Sequence, residues 1–416
     1  MNSGWQRSNL GDVLAVLRNG LNCKQDKSGR GQKISRIESI SLGSFDFSRV
    51  GYADINDNDK SKFKLSKGDI LFSHINSPIH VGKTAVFDVD EDVYHGVNLL
   101  LMRPTEAVSG AYLELYLKYL FVQGYWRSIC KQSVNQASIN QKDISRVSII
   151  FPSDQEEQDR IVAILDEAFD AIATAKANTE KNLSNAGEVF NQQHDTIFAD
   201  QAGGPDRLRL GELATFRNGV NFTKRSKGHA VQIIGVKDFQ NHFWVPLDSL
   251  DTVTLDGDLS PIDTVSEGDI LTVRSNGNAE LLGRCMVVGN LTEPTTHSGF
   301  TIRISLDRAR AAPTYVCHFL RSRAVRRKLI DGGNGLNIKS LNQGMLAEIA
   351  VPLPSLAAQH KIVAKIDALA TATHRLASIT TRKLAALDEL KKSLLHQAFT
   401  GKLTAKDSDK QLEAVA

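Results

Sequence analysis

The feature that most constrains the fold of this chain is an internal repeat with a period of roughly 200 residues. The segment LGDVLAVLRNGLN at 10–22 returns one period later as LGELATFRNGVN, and KGDIL at 67–71 returns as EGDIL. EEQDRIVAILDEAF at 156–169 returns as AAQHKIVAKIDALA. Landmarks in one order at nearly constant spacing indicate a tandem duplication. Because the period is far too long for a solenoid, each copy is a domain together with the segment that follows it.

Each copy changes in character once, from a strand-rich part to a long helical part. The first part carries short β-branched and aromatic runs between glycines, which favours an irregular α+β domain. Pro152 in the first copy and Pro354 in the second then precede long runs without proline. Ser153 or Asp154 in the first copy, and Ser355 in the second, suit a helix N-cap. Each run of about 45 residues predicts a helix near ~68 Å long.

The two helical runs carry apolar residues at alternating spacings of three and four, which is typical of a coiled-coil seam. The seam candidates are Ile161, Leu165, Ile172, Val189, Ile362, Ile366, Leu369, Leu376, Leu387 and Leu394. Residues 154–200 hold 3 Lys/Arg and 11 Asp/Glu, whereas residues 355–399 hold 7 and 3. Opposite charge favours packing of one helix on the other. The alternative is that each helix packs on its own domain.

The expected fold class is therefore α+β, with two tandem strand-rich domains separated by two long antiparallel coiled-coil helices. The predicted segments are a first domain at 1–152, a first helix at 153–200, a second domain at 201–353, a second helix at 354–403 and a flexible tail at 404–416. No run approaches ~18 uninterrupted apolar residues, and no secretory leader is visible, so no membrane partner is expected. The four cysteines form no C-x-x-C pair, which disfavours zinc and fits a cytoplasmic location.

The signatures of common enzymes are missing from the sequence. VGKT at 81–84 resembles the end of a phosphate loop, but Ser77 stands where that motif needs glycine. H-E-x-x-H and G-x-S-x-G do not occur, and the eleven histidines are dispersed. We therefore expect no catalytic residue, no metal ligand and no cofactor in this chain. Two other kinds of protein stay open as alternatives to a non-catalytic binding protein. One is a stand-alone DNA methyltransferase or nuclease component, and the other is a coiled-coil scaffold without a nucleic-acid role.

Polar loops at matching places of the two copies predict contact with double-stranded DNA. Arginine reads guanine and Asn or Gln reads adenine through paired hydrogen bonds, whereas a dense basic run such as 321–328 suits phosphate contact. The DNA-binding candidates are Arg18, Asn19, His74, Asn76, Lys83, Gln136, Asn140, Arg217, Asn218, Arg274, Asn276, Asn278, Arg326, Arg327, Asn337 and Lys339. The alternative for each loop is a solvated surface with ordinary turns.

Several of these segments together resemble a known family. Besides the LGD and LGE openings and the GDIL strands, they are INQKDI at 139–144, NIKSL at 337–341 and LLHQAFTGKL at 394–403. With the two Q-x-x-IV helices, they resemble the DNA-specificity subunit of Type I restriction–modification enzymes across nearly the whole chain. Residues 125–138 and 325–335 share little between the copies, so the base-reading residues cannot be carried over from the family.

The resemblance implies a non-catalytic subunit of a restriction system. Two target-recognition domains would each read one half of a bipartite DNA sequence. Two methyltransferase subunits would use S-adenosylmethionine for adenine-specific DNA methylation, and restriction/translocase subunits would use ATP and Mg for an ATP-dependent endonuclease. Those cofactors belong to the partner subunits.

Overall fold

The chain divides into two units, and both long helices contribute to each. Unit 1 consists of residues 1–179 and 382–416, and unit 2 of residues 180–381. The computed structural model of the chain describes residues 4–134, 136–200, 206–223, 226–240, 242–332 and 340–404. In these described parts, no helix is long and apolar enough to cross a membrane.

The described residues of unit 1 form twelve short strands and several helices. The strands are β1 (Trp5–Asn9), β2 (Leu14–Asn19), β3 (Gln32–Ile34), β4 (Gly51–Ala53), β5 (Asp69–Phe72), β6 (Ile75–Asn76), β7 (Thr84–Phe87), β8 (Val93–Tyr94), β9 (Leu100–Pro104), β10 (Lys131–Ser133), β11 (Gln136–Ser138) and β12 (Ser148–Pro152). The helices are α1 (Asp57–Phe63), α2 (Gly110–Val122), α3 (Tyr125–Ile129), α4 (Gln141–Ser145) and the long α5 (Gln155–Asp200), whose second half belongs to unit 2.

The centre of unit 1 is an antiparallel sheet of order β2-β9-β5-β7. A second sheet has the order β4-β3-β8, in which β3 and β8 run parallel. Smaller sheets are β10-β11-β6 and β1-β12. Buried strand residues such as Ile70 and Phe72 pack with Tyr112 of α2 and Trp126 of α3 in one core. The Phe72 and Trp126 ring centroids lie 4.9 Å apart, edge to face.

Unit 2 repeats this sequence of elements. Its strands are β13 (Arg207–Arg209), β14 (Ala214–Asn218), β15 (Ala230–Ile234), β16 (Asp251–Thr254), β17 (Ile270–Val273), β18 (Cys285–Val287), β19 (Thr295–His297), β20 (Thr301–Leu306) and β21 (Ala350–Pro352). Its helices are α6 (Leu210–Leu213), α7 (Pro313–Arg321), α8 (Arg323–Gly332), α9 (Gln343–Ala347) and the long α10 (Leu356–Phe399), whose last part belongs to unit 1.

The sheets of unit 2 have the same order as those of unit 1. The central sheet is β14-β20-β17-β18, the second is β16-β15-β19 with β15 and β19 parallel, and β13 pairs with β21. These three sheets therefore map strand by strand from one copy to the other, down to the parallel pair in each second sheet, whereas the β10-β11-β6 sheet has no counterpart among the described strands of unit 2. The two strand-rich domains predicted from the repeat are confirmed as one architecture used twice.

A buried glutamine fixes the start of each long helix to its own domain. The Gln158 side chain accepts a hydrogen bond from Ser109 N at 2.8 Å and donates to the carbonyls of Ala107 and Pro152. The Gln359 side chain makes the same three bonds, accepting from Ala312 N and donating to two carbonyls at 3.0 and 2.8 Å. Both side chains are fully buried. The repeated Q-x-x-IV motif is therefore structural.

An aromatic ring fixes the end of each long helix. In unit 1, Phe399 of α10 packs edge to face on Tyr112 and Tyr116 of α2, at 5.3 and 5.1 Å between ring centroids. In unit 2, Phe198 of α5 packs on Tyr315 of α7 at 5.6 Å. Each unit therefore holds one domain, the start of the helix that follows it and the end of the other helix.

The two long helices run antiparallel where they meet in unit 1. Lys391 lies over the Phe169 ring at 4.4 Å, and Lys176 pairs with Asp388. Residue numbers therefore increase along α5 in the direction in which they decrease along α10. At the start of α5, Glu156 N donates a hydrogen bond to the Asp154 carboxylate. At the start of α10, Gln359 N donates a hydrogen bond to the Ser355 carbonyl. The expected pair of long antiparallel helices is confirmed.

The seam candidates differ in burial along the helices. Ile161, Leu165, Ile172 and Ile366 are buried. Ile362, Leu369, Leu387 and Leu394 are half-buried. Val189 and Leu376 are instead 52% and 40% exposed, and Phe190 rather than Val189 packs against the core of unit 2. The strict heptad does not hold at these two positions, because a straight α-helix drifts by ~20° per heptad from a 3.5-residue repeat.

Candidate nucleic-acid interface

The segment that follows β5 carries three of the predicted DNA contacts in unit 1. His74 is buried, its main-chain carbonyl accepts from Ile139 N, and burial lowers the pKa of its imidazole to about 4. Asn76 donates to Ser73 Oγ at 2.9 Å, and Lys83 donates to the Ser41 carbonyl at 2.7 Å. The side chains of Asn76 and Lys83 and the main chain of His74 therefore hold the segment in place.

The hairpin of β10 and β11 is the exposed element beside this segment. Strand β11 pairs with β6 through Ala137 and Asn76, which fixes the hairpin on the domain. The Gln136 side chain is exposed, and Val134 at the turn is 90% exposed. Asn140 is exposed too, but its side-chain oxygen accepts from Asp143 N at 2.8 Å and caps α4. The Asn140 side chain is thus engaged in a cap, whereas the Gln136 side chain makes no hydrogen bond with another described residue.

The R-N-G motif of each copy lies at the end of the first strand of the central sheet. Arg18 donates to the Lys62 carbonyl at 2.5 Å, and Arg217 forms an ion pair with Asp263 at 2.7 Å. Asn19 and Asn218 are exposed. Both motif glycines are required by close packing, because a Cβ at Gly20 or Gly219 would lie about 2 Å from main-chain oxygen atoms. The asparagines are thus the accessible part of the motif.

The corresponding loop of unit 2 follows β17. Arg274 is half-buried, and its carbonyl accepts from Leu341 N at 2.7 Å. The Asn276 side chain accepts from Asn278 N, and the Asn278 side chain accepts from Glu280 N at 3.0 Å. These asparagines shape the turn. The candidates Asn337 and Lys339 lie outside the described residues.

Much of the basic run 321–328 is engaged within unit 2. Arg323 pairs with Glu188 at 2.8 Å. Arg326 is half-buried, approaches Glu280, and has a lowered pKa because of burial and the nearby Arg284 and Arg321. The side chains of Arg327 and Lys328 are exposed. Phosphate contact is therefore open to these last two, while Arg326 is half-buried beside Glu280.

Four of the predicted DNA-binding candidates have exposed side chains that make no hydrogen bond or ion pair with another described residue. They are Asn19, Gln136, Asn218 and Arg327, and the neighbouring Lys328 shares these properties. The burial of His74 and the bond from Arg18 to the Lys62 carbonyl depend on tertiary contacts that loop composition does not reveal, whereas the cap that Asn140 forms on α4 is local in sequence. Sequence reasoning also missed the polar cavity of unit 2 lined by His194, His318 and Trp244.

Comparison with known proteins bears directly on this architecture. The family described as "Type I restriction modification DNA specificity domain" matches residues 2–184 and 207–384, once for each copy. The chain belongs to this family. Its sequence is 28% identical, over 97% of this chain and 94% of the relative, to a type I restriction enzyme specificity subunit of Methanocaldococcus jannaschii.

Further relatives of the specificity family agree with this assignment. The EcoKI specificity subunit of Escherichia coli is 27% identical over 47% of this chain and 42% of its own length. The StySPI specificity subunit of Salmonella potsdam is 22% identical over 97% and 90%.

Solved structures share the fold. A chain from a study of the type I R-M system superimposes with a TM-score of 0.74 at 16% identity, covering 97% of this chain and 99% of that chain. The HsdS subunit from Thermoanaerobacter tengcongensis gives 0.64 at 16% identity, covering 97% and 98%.

Proposed function

We propose that this chain is the DNA-recognition subunit of a type I restriction–modification complex, with one domain for each half of a bipartite target. The observation that carries the proposal is one sheet architecture used twice with different exposed side chains at its loops. A duplicated scaffold with unlike loops suits two unlike half-sites. Membership of the specificity family indicates that the ligand of these loops is DNA.

The exposed side chains define which residues would meet DNA in this proposal. In unit 1, Asn19 and Gln136 present amides that can pair with adenine in the major groove. In unit 2, Asn218 offers the same chemistry, while Arg327 and Lys328 suit phosphate oxygens. Because phosphate contacts position the protein and base contacts specify the sequence, the two groups have different expected effects.

The partners and cofactors follow from the proposed role. Two methyltransferase subunits would bind S-adenosylmethionine and methylate adenine, and restriction/translocase subunits would bind ATP and Mg. This chain would bind none of these cofactors and would act in the cytoplasm. The support is the family match and the names of the curated relatives, each a type I specificity subunit.

Selection from a randomised duplex library, with the chain assembled with type I methyltransferase subunits, tests the proposal. We expect one enriched motif made of two short sequences separated by an unread spacer. Gln136→Ala should weaken binding to that motif by about 5- to 100-fold, as for a lost contact of about 1–3 kcal/mol. Gln123→Ala, an exposed glutamine at the end of α2, is the control. Enrichment of a single uninterrupted motif, or of none, would contradict the proposal.

A further inference from the structure

Unit 2 contains a cavity of about 640 Å³, and none of the five side chains proposed above to meet DNA lines it. Its wall is formed by the last turns of α5, by α7 and α8, by the segment near Trp244 and by α10 around Thr371. We call it the arginine cavity, because Arg284, Arg321, Arg323 and Arg326 line it. Its volume lies within the range of about 300–1,000 Å³ found for small-molecule sites.

One wall of the arginine cavity is a row of five rings. Neighbouring centroids are 5.9 Å apart for Phe190 and His194, 5.7 Å for His194 and His318, 4.2 Å for His318 and Phe243, and 5.6 Å for Phe243 and Trp244. Trp244 ends the row and is 51% exposed. The row therefore ends in a free indole face, on which a planar ring can stack.

His194 adds an unused polar group to the same wall. Its side chain is more than nine-tenths buried, and it makes no hydrogen bond with another described residue. The residue lines the arginine cavity. A neutral imidazole that faces a cavity without a partner can donate to or accept from a ligand.

Two of the arginines are held in place by main-chain carbonyls and keep further N–H donors unused. Arg284 Nη1 donates to the carbonyls of Phe239 and Gln240, and Arg321 Nη1 donates to those of His242 and Cys285. Neither guanidinium forms an ion pair with a described residue, and the Nη2 atom of each has no acceptor there. Fixed guanidinium groups with spare N–H donors favour an anionic ligand.

Carboxylates offset the other two arginines of the arginine cavity. Arg323 is paired with Glu188, and Arg326 has one carboxylate, Glu280, at 3.9 Å. Asp195 and Asp367 also line the cavity. Arg284 and Arg321 are therefore the guanidinium groups that remain available to a phosphate group.

The equivalent cation in unit 1 is paired within its own helix. Ser109 N and Ala312 N each donate to the buried glutamine of the long helix that follows, which aligns α2 with α7. In this alignment Lys118 takes the place of Arg321, and it forms an ion pair at 2.8 Å with Glu114. Unit 2 has Cys317 where unit 1 has Glu114, so its cation lacks that internal partner. The unpaired Arg321 is therefore a difference between the two copies.

We propose that the arginine cavity binds a nucleoside monophosphate. The base would stack on Trp244, and the phosphate would accept hydrogen bonds from Arg284 and Arg321, with His194 facing the ligand. This site is separate from DNA reading, so it can fail while the proposed function stands, and the reverse also holds.

Isothermal titration of the full-length chain with AMP and GMP tests the site. We expect saturable binding of one nucleotide per chain with a Kd below about 1 mM. Adenosine and inorganic phosphate should each bind at least about tenfold more weakly, because each lacks one half of the ligand. Trp244→Ala should weaken AMP binding by about tenfold or more, as for loss of one stacked base. Thr371→Trp should block the cavity from its exposed rim.

The matched control is Phe300→Ala, since Phe300 is another exposed aromatic of unit 2 (61%) that does not line the cavity. It should bind AMP like the unaltered chain. Absence of saturable binding up to about 5 mM of either nucleotide would overturn the proposal. So would equal affinity for inorganic phosphate and AMP, unchanged binding in both cavity variants, or displacement of AMP by a short DNA duplex. The last result would make the cavity part of the DNA interface instead.

Discussion

At the residue scale, the aspartate of each GDIL motif organises a buried polar network. Asp69 is almost fully buried, accepts from Ser66 N at 2.7 Å and binds Arg103 through two bonds at 2.6 and 2.7 Å. Asp269 accepts the corresponding hydrogen bond from Ser266 N at 2.8 Å and lies beside Arg303. The repeated aspartate was visible in the sequence, whereas its arginine partner, which is distant in sequence, was not.

Asp69→Ala should lower the free energy of unfolding by about 2–4 kcal/mol. The change leaves a main-chain N–H and a partly buried guanidinium without their acceptor. Asp88→Ala is the control, because Asp88 pairs with Lys67 on the surface and such pairs contribute about 0–1 kcal/mol. The midpoint of urea unfolding measures both variants. Equal effects of the two changes would refute a structural role for the motif aspartate.

Buried histidines should make the fold sensitive to acid. His95 and His297 occupy equivalent places, since their carbonyls accept from Leu21 N and Val220 N at 2.8 Å in each case. Burial lowers the pKa of each imidazole to about 4. Because the unfolded chain binds a proton near pH 6.5 and the folded chain does not, each histidine's contribution is complete above about pH 6.5 and falls as the pH drops toward 4.

Urea midpoints between pH 7.5 and about 5 test this linkage, with the stability expected to fall as the pH drops. His95→Asn should flatten the slope below pH ~6.5, because a single shifted histidine contributes at most about 2 kcal/mol between pH ~6.5 and 5. His360→Asn removes an exposed histidine of α10 and should leave the slope unchanged. A slope identical in the unaltered chain and in His95→Asn would show that this imidazole does not drive the acid sensitivity.

At the element scale, the long helices were predictable because they depend on local sequence. Their prolines, capping residues and heptads stand within single runs, and α5 and α10 begin at Gln155 and Leu356, just past those signals. The attachment of each helix end was not predictable. It depends on Phe399 and Phe198 meeting tyrosines of a domain far away in the sequence. The heptad pattern also placed Val189 on the helix seam, whereas Phe190 packs against the core at this point of α5. The reason is the drift of a straight helix from a 3.5-residue repeat.

Phe399→Ala should loosen the end of α10 in unit 1. It removes a buried ring from a cluster with Tyr112, Tyr116 and Tyr119, at a typical loss of about 3–5 kcal/mol. Hydrogen exchange of the α2 amides should therefore become faster than in the unaltered chain. Leu390→Ala, on the same helix and 45% exposed, should leave it unchanged. Unaltered α2 exchange in Phe399→Ala would mean that the ring does not secure the helix.

At the scale of the whole molecule, the duplication is what the sequence reveals most reliably. Repeated glycines, glutamines and apolar strands fix one scaffold used twice, because their roles are the same in both copies. The exposed loop residues differ between the copies, and their accessibility depends on contacts such as Arg18 with Lys62 and Arg217 with Asp263. The architecture could therefore be derived from sequence, whereas the candidate interface required the structure.

The central claim is that each domain reads its own half of the DNA target. Replacing residues 1–152 with the first domain of another type I specificity subunit, and expressing the chimaera with its methyltransferase subunits, tests this claim through a map of methylated adenines in cellular DNA. We predict that one half of the methylated motif changes to that of the donor, while the other half is retained. The reciprocal exchange of residues 201–353 should change only the second half. A map in which both halves change together, or neither changes, would contradict the assignment of one domain to one half-site.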